Sequence, residues 1–111
     1  MLLNIGKKSK QKSTTFKEMN KQIWKFEIDS PSKLGIEMPI GAEILTVQVQ
    51  NETPCIWALV NPEETKMKRY FEIYGTGMGI YCDMGIDRKY IGTFQLNSGA
   101  LVFHVFEREY F

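Results

Sequence analysis

Seven short runs of β-forming residues follow one another from Gln22 onward: QIWKFEI (22–28), KLGIEM (33–38), EILTVQVQ (43–50), PCIWALVN (54–61), KRYFEIYG (68–75), YIGTFQL (90–96) and ALVFHVFERE (100–109). Between them stand Asp29-Ser30-Pro31-Ser32, Pro39-Ile40-Gly41, Asn51-Glu52-Thr53-Pro54, Asn61-Pro62-Glu63-Glu64 and Asn97-Ser98-Gly99. These are residues that supply positive φ, preset φ or bond their own backbone, so each cluster turns the chain. A chain of 111 residues is one domain with one core. The pattern predicts an all-β, mainly antiparallel fold over residues 21–111, a compact seven-strand sandwich or partly open barrel.

Alternation within the runs says which faces need cover. In EILTVQVQ, strict alternation puts Leu45, Val47 and Val49 on a core face and Ile44, Thr46, Gln48 and Gln50 on a polar one. In IWKFEI, Trp24, Phe26 and Ile28 share the core face. Two runs have no face made for water: Cys55, Trp57 and Leu59 oppose Ile56, Ala58 and Val60, and Leu101, Phe103 and Val105 oppose Val102, His104 and Phe106. Large apolar patches are rarely left exposed, so these two strands are expected to be central in a sheet or to lie in a contact between copies of the chain. A homo-oligomer is the expected state on that ground.

Charge is unevenly divided. Residues 1–21 carry six Lys and one acid, Glu18, whereas the remainder carries eight Lys and Arg against twelve acids, net −4. A basic, flexible tail over residues 1–20, with TFKEMNK a possible short helix, is expected in front of an acidic body. That body gives no broad nucleic-acid surface, which needs clustered cations. The segment MLLNIGKKSK lacks the apolar stretch of about 7–15 residues of a signal peptide, and no run approaches the roughly 20 residues of a membrane span. Two cysteines, Cys55 and Cys82, make no disulfide framework. A cytoplasmic protein without membrane contact is the expectation.

Catalytic and metal readings find little support in this composition. His104 is the single histidine, and it stands between Phe103 and Val105 as a core or interface residue would. A thiol–imidazole pair of His104 with Cys55 or Cys82 has no activating sequence context. Asp83 and Asp87 offer fewer oxygens than a calcium loop needs. No cofactor, no metal and no enzymatic activity are expected. Glycines crowd at Gly75, Gly77, Gly79 and Gly85, where closely spaced amides can converge on an anion or simply relieve a turn. Tyr74, Tyr81, Arg88 and Lys89 flank them, tyrosines able to stack on a base and cations able to pair with phosphate.

The ordered series IWKFEI, IEMPIGAEILTVQVQNETPCIWALVNPE, RYFEIYGTGMGI and YIGTFQLNSGALVFHVFE resembles a family of small phage and prophage proteins of undefined function. It covers Ile23 to Glu107 and leaves out the basic tail. That family often has a histidine after G-T-G, where this chain has Met78, so no histidine ligand is carried over to that loop. The resemblance implies a phage-encoded accessory protein acting in the host cytoplasm and supplies no reaction.

Together these features lead to the expectation of a non-enzymatic protein that sequesters a small nucleotide-derived ligand, a sponge for a host antiviral immune signal. The ligand-binding residues expected are Trp57, Arg69, Tyr74, Gly75, Thr76, Gly77, Met78, Gly79, Tyr81, Arg88 and His104, with aromatic rings for the base, turn amides and arginines for phosphate, and subunit contacts to enclose the ligand. The alternative is a protein-binding inhibitor of a host enzyme, or a minor phage structural or assembly component.

Overall fold

Each of the seven runs forms a strand in the computed structural model, which describes residues 20–29, 33–80 and 87–109. The strands are β1 (Gln22–Glu27), β2 (Lys33–Pro39), β3 (Glu43–Gln50), β4 (Thr53–Val60), β5 (Lys66–Gly75), β6 (Asp87–Leu96) and β7 (Leu101–Glu109). The basic tail expected over residues 1–20 falls almost wholly outside the described residues, as do Tyr81, Cys82, Asp83 and Gly85. Among the described residues no helix is long and apolar enough to cross a membrane.

The strands form two antiparallel sheets, β1-β4-β3 and β2-β5-β7-β6, which are not closed into a barrel. Their inner faces share one core. Ile56, Ala58 and Val60 of β4, Phe71 and Ile73 of β5, Phe94 of β6 and Val105 of β7 are buried there, with Met38 and Val47. Both runs without a polar face are interior strands, β4 in the smaller sheet and β7 in the larger.

The second face of β4 is covered in part by its neighbours. Lys25 of β1 and Gln50 of β3 lie on opposite sides of β4, yet Lys25 Nζ donates to Gln50 Oε1 over 2.6 Å and stands 6.0 Å from the Trp57 ring centroid. The lysine stem thus lies across the strand, as long cationic side chains do when they cover apolar surface with the ammonium in water. Beneath this cover Cys55 is only 1% exposed.

Two β-bulges correct the strict alternation. In β3 the register shifts between Ile44 and Thr46, so Leu45 is the extra residue. Ile44 then packs on the core with Val47 and Val49, while Leu45, expected in the core, is 45% exposed. A bulge inserts one residue without a partner and swaps the faces on one side of it. In β6 the shift falls between Tyr90 and Gly92. The strands carrying these bulges meet at the sandwich edge, where a Cβ on Gly92 would lie 2.8 Å from Val47 Cγ1.

The β3–β4 hairpin is closed by Asn51 and Glu52, both at positive φ (52° and 66°), with Gln50 paired to Thr53. Positive φ at both central positions is the type I′ turn, whose twist suits a two-residue hairpin.

Candidate functional site

The outer face of the four-stranded sheet carries most of the chemistry. Register fixes its rows across β5, β7 and β6: Tyr70–Arg108–Arg88, Glu72–Phe106–Tyr90 and Tyr74–His104–Thr93. Tyr90 and Thr93, three residues apart, would face opposite sides of a regular strand; the extra residue Ile91 brings both outward. Their hydroxyls lie 2.5 Å apart.

Glu72 anchors one end of this face. Although it points outward, it is 3% exposed, because Arg88, Arg108 and Tyr74 close around it. Its Oε1 accepts from Arg88 Nε at 2.6 Å and from the Tyr74 hydroxyl at 2.7 Å, and its Oε2 accepts from Arg108 Nη1. Burial alone would push the carboxyl up, but the hydrogen bonds from Arg88, Tyr74 and Arg108 outweigh it and bring it to about 2. Burial, with the adjoining carboxylate, pushes the Tyr74 phenol up, so it stays a protonated donor. The hydrogen bond to Glu72 raises Arg88 further still. The guanidiniums of Arg88 and Arg108 thus converge on one carboxylate.

His104 anchors the other end. Its Nε2 is 2.7 Å from Thr76 Oγ1 and its Nδ1 is 2.9 Å from Thr93 Oγ1, which continues to the Tyr90 hydroxyl. A threonine hydroxyl both donates and accepts, so the chain Thr76–His104–Thr93–Tyr90 is satisfied with either tautomer. Between the two anchors run Tyr74, Phe106 and Tyr90, with centroids 6.0 and 5.5 Å apart and edge-to-face geometry. Tyr90 is 55% exposed and offers an accessible ring.

Tyr74, Thr76, Arg88 and His104 therefore come together on one face. The glycine run Gly75 to Gly79 adjoins it as a turn. Met78 N donates to Gly75 O, Thr76 N to Val102 O, and Gly75 N to Met78 Sδ, so three of the amides considered for phosphate are engaged within the chain. Gly77, at φ 91°, serves the turn itself.

Arg69 and Trp57 lie elsewhere. Arg69 points to the inner side of β5, where Nε and Nη2 hold Glu107 at 2.6 and 3.0 Å and Nη1 donates to Ala42 O at 2.7 Å. This fork pins the turn before β3 to β7, a structural use of a bidentate arginine. Trp57 is on the outer face of the other sheet, with its Nε1 buried and no hydrogen-bond partner among the described residues. Cys55 shares that face, so Cys55 and His104 are on opposite outer faces and do not pair; burial raises the Cys55 thiol.

Glu72, Tyr90, Thr93, Phe106 and Arg108 belong to the site without having been singled out in the sequence. Period-2 spacing links Glu72 to Tyr74, and Phe106 and Arg108 to His104, which is a usable signal. Tyr90 and Thr93 have no such signal, because the bulge breaks the period.

A model of a domain of unknown function, DUF7352, matches residues 19–111, and the chain belongs to that family. No curated protein and no solved structure matches it.

Proposed function

We propose that this chain is a non-enzymatic binding protein that captures a small nucleotide-derived ligand on the outer face of its four-stranded sheet. The observation that supports this reading is the aromatic row Tyr74–Phe106–Tyr90 running between a cationic cluster and a hydroxyl–imidazole chain. A base stacks on the exposed Tyr90 ring, and the guanidiniums of Arg88 and Arg108 bond to its phosphate. The Thr76 and Thr93 hydroxyls bond to ribose. Base–aromatic stacking contributes about 1–3 kcal/mol per base and tolerates any base. In the phage setting that the sequence resemblance implies, the ligand is a host antiviral signal such as a cyclic dinucleotide or an ADP-ribose derivative. A second copy of the chain encloses it.

Calorimetric titration of the full chain with cyclic dinucleotides and ADP-ribose tests this reading, with Tyr90→Ala expected to cost about 1–3 kcal/mol of affinity. Absence of binding across that set sinks it. Recovery of intact nucleotide after denaturing the complex distinguishes capture from hydrolysis, and native mass measurement reports the number of copies.

A second reading rests on a different surface. Ile23 and Leu45 are 62% and 45% exposed at either side of the smaller sheet, with Trp57 and Leu59 half-buried between them. An apolar strip on a sheet face suits a protein partner, such as a host enzyme or a phage assembly component. Binding that is lost on Ile23→Lys and Leu45→Lys but kept on Tyr90→Ala favours this reading.

A further inference from the structure

Among the described residues, the core is open between the two sheets at the end where β1 runs out. A crevice of about 250 Å³ lies there, walled by Ile28, Ile73, Phe94, Leu96 and Phe103, with Pro54 and Asp29 at the margin. Protein interiors are close-packed, and few of their voids exceed a water molecule. This one has room for about eight water-sized groups, and its apolar walls give water few partners. An apolar guest is favoured over solvent.

Its walls select a shape. Phe94 and Phe103 stack with centroids 5.4 Å apart and planes 29° from parallel, presenting flat aromatic surface from adjacent strands. The rim is fixed, since Ile28 N donates to Pro54 O at 2.9 Å and holds the end of β1 against β4. Asp29, which directly follows, is the one charged residue among the described residues of the lining. A carboxylate at the mouth of an apolar slot favours a protonated nitrogen and repels an anion.

We infer that this crevice binds a small aromatic amine, its ring between the sheets against Phe94 and Phe103 and its ammonium at Asp29. The site is separate from the outer sheet face: Ile73 and Phe103 point inward, whereas Glu72, Tyr74 and His104 on the same strands point outward. The two sites stand or fall independently.

Phenethylamine, 2-phenylethanol and phenylacetate are near-isosteric probes that differ in charge. Titrated into the full chain near neutral pH and followed by amide NMR, phenethylamine is expected to shift Ile28, Ile73, Phe94, Leu96 and Phe103 and to bind about tenfold tighter than phenylacetate. Leu96→Trp fills the slot and abolishes binding. Asp29→Asn, at an exposed position that leaves the core intact, brings the three probes to within about twofold of one another, and keeps the test available if the tryptophan variant does not fold. Phenylacetate binding as tightly as the amine, an amine preference that survives Asp29→Asn, or no shift of these amides at millimolar probe overturns the inference.

Discussion

Gly92 of β6 faces Val47 of β3 at the sandwich edge, and a Cβ added to Gly92 would stand 2.8 Å from Val47 Cγ1. Both strands carry a bulge close to this contact, at Leu45 and at Ile91. Bulges increase local twist and bend a strand, and here they let the edge strands of two sheets approach without joining them.

Gly92→Ala is accordingly expected to destabilise the protein by about 1–3 kcal/mol through overpacking. Urea denaturation measures it. Adding Val47→Ala removes the clashing methyl, so the double variant is expected to be less destabilised than the sum of the singles, by more than about 0.5 kcal/mol. Simple additivity would show that the contact does not limit the approach.

The same pair marks what could be read in the sequence and what could not. All seven strands were legible, because alternation and turn residues are local signals; PCIWALVN and ALVFHVFERE read as either interior strands or a contact between copies, and both are interior strands. The bulges were not. EILTVQVQ reads as unbroken alternation, and only pairing with β4 reveals that Leu45 is the extra residue. Strand order is non-local for the same reason: nothing in KRYFEIYG says that Glu72 will meet Arg88 and Arg108 from two other strands. Of the candidate site, His104 and Tyr74 were visible as residue types, whereas their partners Thr93 and Tyr90 depended on a register that the sequence does not print.

The β3–β4 turn holds Glu52 at φ 66°, in the left-handed region that disfavours residues with a Cβ. Asn51, at φ 52°, belongs to the few types that tolerate it. Glu52→Gly creates the preferred Asn-Gly pair of a type I′ hairpin and is expected to raise stability by about 0.5–1 kcal/mol, after allowing for the added entropy of an unfolded glycine. A fall in the thermal midpoint would mean that the Glu52 side chain has a role that its exposed position does not suggest.

Lys25 lies over β4 with its ammonium on Gln50, and Cys55 beneath is 1% exposed. In a Cys82→Ala background, so that one thiol remains, Lys25→Ala is expected to speed reaction of Cys55 with a thiol reagent by lifting that cover. Lys25→Met keeps the stem without the charge and should leave the rate close to that of the parent. Equal acceleration by both variants would show that the lysine stem does not cover the thiol.

Glu72 gives the fold an acid-sensitive point beneath the proposed binding face. Its carboxyl lies at about 2 against a usual 4.5, because the hydrogen bonds from Arg88, Tyr74 and Arg108 outweigh the burial that would raise it. A carboxyl lowered on folding stabilises the native state fully above its unfolded value, and the contribution fades as pH falls from 4.5 toward 2. For so buried a side chain the shift corresponds to roughly 3 kcal/mol. Thermal midpoints measured across that window should therefore fall more steeply in the parent than in Glu72→Gln, which lacks the titrating group. At neutral pH the same variant removes the carboxylate that both guanidiniums hold and should cost about 3 kcal/mol. A parent and variant with parallel pH profiles would show that Glu72 titrates at its ordinary value and that the three donors do not hold it ionised.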